Sequence, residues 1–200
     1  MKQKVIFATG NENKMVEIRA ILKDVRMEIL SLKDAGIAIE VVEDGETFEE
    51  NAIKKAVEIA KVTGGLVLAD DSGLEIDYLN KEPGVHSALY AGRDTSYKIK
   101  NQLLLDRLEG VPDEKRTARF VCVIAAAFPD GTVEICRATS EGRISIRATG
   151  EGGFGYDPIF YLPELGCTTA ELTPDKKNEL SHRGKALRKM KKILEAKEFA

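Results

Sequence analysis

The sequence predicts an α/β fold built on a mixed β-sheet, and three observations carry that expectation. Short apolar runs bounded by turn residues alternate with longer stretches whose apolar positions recur at helical spacing. Two later runs, residues 118–128 and 132–139, are separated only by Pro129-Asp130-Gly131, a tight turn that makes them an antiparallel hairpin. A chain of 200 residues is long enough for one substantial domain, or for two lobes sharing a core, and needs no covalent staple. Strand–helix alternation together with a hairpin gives a sheet with both parallel and antiparallel pairs.

The elements follow in order. Residues 4–8 (KVIFA) run into Thr9-Gly10, a strand followed by a turn. From Asn11, the apolar residues Met15, Ile18, Ile21 and Leu22 take helical spacing, with Asn11 or Asn13 as the cap. Strands are expected at residues 27–30 and 37–42. Thr47 opens a long helix through a Thr-x-x-Glu capping box to Glu50, and Phe48, Ala52, Ala56, Ile59 and Ala60 form its buried stripe up to Gly64-Gly65. Residues 66–69 and 74–79 read as two strands on either side of an Asp70-Asp71-Ser72-Gly73 turn. Residues 80–94, with Pro83, Gly84 and Gly92, read as a surface loop. Residues 95–110 form a helix with Ile99, Leu103, Leu104 and Leu108 on one face. After the hairpin, a strand at 143–148 leads into the glycine-rich segment 150–156. From residue 175 onward, Leu180, Ala186, Leu187, Met190 and Leu194 mark one basic helix.

Composition narrows the function classes. The chain is 43% hydrophobic and 32% charged, as soluble globular proteins are, and no apolar run approaches the roughly 18 residues of a membrane span. The opening MKQKVIFATG reads as a buried first strand and not as a signal peptide. Cys122, Cys136 and Cys167 include no CxxC pair, and with two histidines in the chain a zinc cage is not expected. Cys122 lies within FVCVIAAAF and reads as a buried reduced thiol, which points to a reducing, cytoplasmic compartment. A formal net charge of −3 gives no global attraction to nucleic acid, so any bound anion must meet a local cluster of donors.

Five segments carry chemistry. In Thr9-Gly10-Asn11-Glu12-Asn13-Lys14 a strand gives way to a helix, whose N-terminus offers free N–H groups and a positive dipole end, with Lys14 one turn in. The same pattern also describes a capped helix with a solvated lysine. Asp70 and Asp71 close an apolar strand and should diverge, one facing a metal or water while the other braces the turn, a density that suits Mg²⁺. An Asp-Ser-Gly turn with both carboxylates capping N–H groups is the alternative. The acidic stretch from Glu40 to Glu50 is either solvated or supplies a second Mg²⁺ ligand, and Lys55, near the buried face of its helix, calls for an anionic partner. In GGFGYDP, residues 152–158, glycines let backbone approach a flat ligand on which Phe154 or Tyr156 stacks, and Asp157 is held extended by Pro158. The aromatics equally seal a core. Residues 181–185 set Ser181, His182, Arg183 and Lys185 within little more than one helical turn, as donors to oxo groups or as a solvated basic face.

The order of these segments closely resembles the inosine triphosphate pyrophosphatase family. The residues that carry the resemblance are TGNENK at 9–14, EDGETFEENAIKKA at 43–56, ADDSGL at 69–74, GGFGYDPIF at 152–160 and ELTPDKKNELSHRGKAL at 171–187, nearly the whole chain. The resemblance implies a long mixed sheet flanked by helices, in a single 1–200 domain with two lobes around a central cleft. It implies Mg²⁺-dependent hydrolysis of inosine, deoxyinosine and xanthosine triphosphates to the monophosphate and pyrophosphate by a cytoplasmic homodimer, while the net charge and the lack of a long apolar run lead us to expect neither nucleic acid nor membrane as a partner. Thr9, Gly10, Asn11, Glu12, Asn13 and Lys14 become substrate contacts, as do Lys55 and Ser72. Asp71 becomes the catalytic carboxylate and, with Glu43, a metal ligand. Phe154, Gly155, Tyr156, Asp157, Lys177, His182 and Arg183 become substrate and base contacts, His182 or Arg183 donating to the purine O6. PGVHSALYAG at 83–92 departs from the family's PGVYSARYAG by His86 for tyrosine and Leu89 for arginine.

Overall fold

The computed structural model describes residues 3–197. The first apolar run forms strand β1 (Gln3–Phe7), and the Asn11 side chain caps helix α1 (Glu12–Ile21) by accepting the Lys14 N–H at 3.2 Å. Strand β2 (Met27–Ser31) lies parallel to β1, with Gln3 opposite Met27 and Phe7 opposite Ser31. The capping box of Thr47 and Glu50 opens helix α2 (Phe48–Thr63), and Gly64 closes it at φ 65°. Strand β3 (Val67–Ile76) takes the other side of β1, again parallel. Helix α3 (Tyr97–Arg107), the long strands β4 (Thr117–Ala127) and β5 (Val133–Ile144), and the short strands β6 (Phe160–Leu162) and β7 (Cys167–Thr168) follow. Helices α4 (Pro174–Leu180) and α5 (His182–Ala196) end the order. The sheet runs β2-β1-β3-β4-β5-β6-β7, parallel from β2 to β3 and antiparallel from β5 to β7, which is the mixed α/β arrangement predicted from sequence.

Several local expectations are corrected. Residues 37–42 form no strand; Ile39, Glu40 and Val42 are exposed, and nothing buries the alternate face a strand needs. Asp70-Asp71-Ser72-Gly73 is not a turn, because β3 passes straight through it and ends at Ile76, after which residues 77–79 make a 3₁₀ turn. The strand expected at 143–148 is the end of β5, which stops at Ile144. The final helix is two helices, broken where Ser181 turns extended at φ −67°, ψ 154°. Helix α3 buries Lys100, Asn101, Leu104 and Leu105, whereas Ile99 and Leu103 face outward.

The chain divides into two compact units. One holds the described residues through Asp71, Cys122–Ala138 and those from His182 onward, and its core gathers Phe7, Met15, Ile18, Leu68, Ile124, Leu187 and Met190. The other holds Ser72–Val121 and Thr139–Ser181, with Leu74, Ile76, Leu104, Leu108, Tyr156 and Phe160 in its core. Each fully buried side chain of this size contributes roughly 1.5–3 kcal/mol, so each unit has an apolar base rigid enough to hold buried charge.

Candidate active site

In the first unit the charged residues gather around the middle of β3. Successive strand residues face opposite ways, so Asp70 and Asp71 enter different surroundings. The Asp70 carboxylate is fully buried and meets Lys14 Nζ at 2.9 Å and Arg183 Nη2 at 3.4 Å. Burial alone would raise its pKa, but Lys14, Arg183 and Lys55 outweigh it and hold the group below the usual carboxylate range. Arg183 is itself buried and meets Glu17 on α1 at 2.5 Å, so its guanidinium spans two carboxylates from distant parts of the chain. Those acids raise its pKa further against the effect of burial.

Asp71 differs. Burial pushes its pKa up to about 6, the nearby Glu43 charge adds to that, and Lys55, Lys14 and Asn51 counteract only in part. Asn51 on α2 donates to Asp71 Oδ2 at 3.1 Å and accepts the Gly45 N–H at 2.8 Å. One amide therefore ties the acidic loop of Glu43 to the β3 carboxylate. A Cβ at Gly45 would stand 2.7 Å from Asn51 Oδ1, so this approach requires glycine. Lys55, one turn further along α2, meets Glu43 at 2.6 Å. Burial lowers the Lys55 pKa, yet Asp70, Glu43 and Asp71 together raise it.

Glu43 and Asp71 are a hard, oxygen-only donor pair, and the charge of Glu43 raises the proton affinity of Asp71. That suits a divalent cation completing its shell with water and phosphate oxygens. Among the described residues no group of three or more His, Cys, Asp or Glu forms a self-sufficient cage. Thr9 accepts the Asn11 N–H at 3.1 Å and is nearly buried, while Gly10, Asn11, Glu12 and Asn13 are exposed at the start of α1. His182 is buried as the first residue of α5.

In the second unit a different cluster forms around Asp157. Its Oδ2 accepts from Lys177 Nζ at 2.5 Å and from the Phe154 N–H at 2.8 Å, and its Oδ1 accepts from the Thr169 hydroxyl at 2.9 Å. Lys177 also lies over the Phe154 ring, 4.6 Å from its centroid. Tyr156 is buried, donates from its hydroxyl to the Ser87 carbonyl at 2.6 Å, and packs edge-on against Tyr97. Gly153 and Gly155 both adopt positive φ, 69° and 67°. Ser72 follows Asp71 on β3, and His86 and Leu89 lie in the 84–92 loop.

The structure thus brings Lys14, Glu43, Lys55, Asp71 and Arg183 together in one unit, and Phe154, Asp157 and Lys177 in the other. Sequence reasoning missed Glu17 and the anchoring role of Asn51, although both lie within the quoted motifs or three residues beyond Lys14. It also missed Thr169 and Asn101, for which no local pattern gave a signal.

Residues 5–193 match the Ham1 family. A dITP/XTP pyrophosphatase of Desulforamulus reducens is 50% identical over 191 residues, covering 96% of this chain and 95% of the relative. One of Clostridium perfringens is 49% identical over 94% of this chain and 96% of the relative. Among solved structures, a HAM1 protein from Coxiella burnetii superposes with a TM-score of 0.88 at 40% identity, covering 97% of this chain and 99% of that one. A nucleoside-triphosphatase, dITP/XTP pyrophosphatase of Mycobacterium abscessus gives 0.77 at 41% identity, over 94% and 98% of the two chains.

Proposed function

The chain belongs to the Ham1 family and is a nucleoside triphosphate pyrophosphohydrolase, and on that premise we propose that it clears ITP, dITP and XTP from the nucleotide pool with Mg²⁺ as cofactor. The observation that carries the reading is Asp71, a buried carboxylate whose pKa is raised to about 6 beside a neighbour, Asp70, held firmly ionised. Asp71 takes the Asn51 amide at 3.1 Å on one carboxylate oxygen, which orients the group to hold a cation and to accept a proton from water.

Charge accounting supports the metal. Glu17, Glu43, Asp70 and Asp71 face Lys14, Lys55 and Arg183, so the cluster carries no surplus of cations for a triphosphate. Glu43 and Asp71 would hold Mg²⁺, which would supply that positive charge and make nearby water more acidic. Asp71 takes the proton of the water attacking the α-phosphorus, and Lys14 and Lys55 turn toward the phosphate oxygens as pyrophosphate leaves. Thr9, Gly10, Asn11, Glu12 and Asn13 line the substrate at the start of α1, where N–H groups favour an anion. Asp70 and Glu17 hold the Arg183 guanidinium, so donation to the purine O6 falls chiefly to His182. Ser72, Phe154, Gly155, Tyr156, Asp157 and Lys177 complete the proposed nucleotide contacts. Cytoplasmic location and a homodimer belong to the same proposal; the described residues contain no helix long and apolar enough to cross a membrane.

The test is product analysis with dITP and Mg²⁺ in ¹⁸O-water. Equal amounts of dIMP and pyrophosphate, with the label in dIMP, are expected. Orthophosphate release, or label in pyrophosphate, would contradict attack at the α-phosphorus.

A further inference from the structure

Helix α3 sends one polar side chain into the glycine-rich segment that follows β5. Asn101 is buried, and its Nδ2 donates to the Gly155 carbonyl at 3.1 Å across 54 positions of sequence. The orientation of the amide follows from its partner, since only the NH₂ end can donate to a carbonyl. The Oδ1 end is buried as well and accepts no hydrogen bond from any described residue. A buried amide oxygen left without a donor costs stability, so this side chain does not serve the fold alone. Its one bond is made to the backbone beside Phe154.

The other side of Phe154 is held in the same way. Asp157 Oδ2 accepts the Phe154 N–H at 2.8 Å, and Thr169 and Lys177 fix that carboxylate in turn. The N–H of Phe154 and the C=O of Gly155 are thus clamped from opposite ends, by Asp157 and by Asn101. Between the clamps stands a ring that is only partly buried, with the Lys177 ammonium at one face. Gly155 itself sits at φ 67°, a backbone setting that few residues other than glycine adopt.

We propose that Asn101 is a positioning residue for nucleobase recognition, setting the Phe154 platform by fixing the Gly155 carbonyl. The inference rests on the reading of Phe154 as a nucleotide contact. Asn101 touches no substrate; it governs how well the ring is presented, and so acts on binding and base discrimination more than on the chemical step.

Two variants separate this role from packing. Asn101→Leu keeps the volume and withdraws the donor, while Asn101→Ala removes both, and either one serves if the other fails to fold. Both are expected to raise KM for dITP by about tenfold, with kcat within about threefold of wild type, and to narrow the dITP-to-dATP ratio of kcat/KM. In a Phe154→Ala background the same substitutions should change KM by less than about twofold, since the platform they position is already gone. Asn101→Leu indistinguishable from wild type, or effects fully additive with Phe154→Ala, would overturn the inference while leaving Phe154 as a contact. A Phe154→Ala enzyme with unchanged KM and base preference would overturn the underlying reading and the inference with it.

Discussion

Lys14 meets Asp70 at 2.9 Å in one unit and Lys177 meets Asp157 at 2.5 Å in the other, and all four groups are largely withdrawn from solvent. The company they keep differs. Around Asp70 stand Lys14, Arg183 and Lys55, which hold it ionised, whereas burial, helped by the charge of Glu43, leaves Asp71 with a pKa of about 6. Around Asp157 stand a backbone N–H, a hydroxyl and an aromatic ring. The same ion pair serves electrostatics in the first setting and backbone geometry in the second. Under the proposed function the first setting suits chemistry at phosphorus and the second suits the seating of a flat base.

The largest expected effect breaks the electrostatic side. Asp71→Asn preserves shape and removes the proposed proton acceptor, and should lower kcat by roughly 10²–10⁴-fold, measured as pyrophosphate release under saturating dITP. Its stability should move the other way. Because the folded pKa of Asp71 is raised, the stability this group adds is present below the ordinary value of 3.8 and is lost as pH rises through about 6. At pH 7.5 the ionised carboxylate is a burden, so the Asn variant should melt no lower than wild type. A lower melting temperature would show that the negative charge is needed by the fold.

Asp70→Asn should behave oppositely. It leaves Lys14 and Arg183 facing a neutral group in a buried setting, and breaking such a pair costs about 3–5 kcal/mol. The folded pKa of Asp70 is depressed, so its contribution is complete above the ordinary value of 3.8 and fades as pH falls through the lower folded value. The gap between wild type and Asp70→Asn in urea denaturation should therefore hold steady from pH 8 to 5 and narrow below about pH 4. A gap unchanged down to pH 3 would deny Asp70 this role.

Much of this arrangement was legible in the sequence, and the parts that were not share a cause. The Asn11 cap, the Thr47–Glu50 capping box and the Pro129–Gly131 turn were read correctly because each is closed by neighbours within a few residues. Asp70-Asp71-Ser72-Gly73 was misread as a turn because its composition favours one locally. What keeps it extended is strand pairing, with Lys14 and Arg183 neutralising Asp70, the latter 113 positions away. The outward face of α3 was misjudged for a related reason: Lys100 is buried against the Ala88 carbonyl and Asn101 against Gly155, polar contacts that hydrophobic spacing does not register. The short strands β6 and β7 have too few residues to show alternation. Ligand types were visible; which ones meet was not.

A smaller effect sharpens the geometric side. Asp157→Asn keeps an acceptor for the Phe154 N–H but removes the charge that holds Lys177. KM for dITP should rise by about tenfold while kcat stays within about threefold, the reverse of the pattern at Asp71. Equal losses in kcat and kcat/KM would place Asp157 with the chemical step and dissolve the contrast between the two units.

The central claim is that this chain joins phosphate chemistry to selection of the purine edge. Hypoxanthine offers a carbonyl at C6 where adenine offers an amino group, and the donor proposed at His182 would meet the second donor-to-donor. Sites that leave buried polar groups unpaired reject the wrong analogue by up to about 10⁴–10⁵-fold. The most direct measurement is kcat/KM for dITP and dATP, from pyrophosphate release by the wild-type enzyme with Mg²⁺ in one buffer. A ratio of at least about 10² is expected; a ratio near unity would contradict the account, leaving a pyrophosphatase that does not read the base.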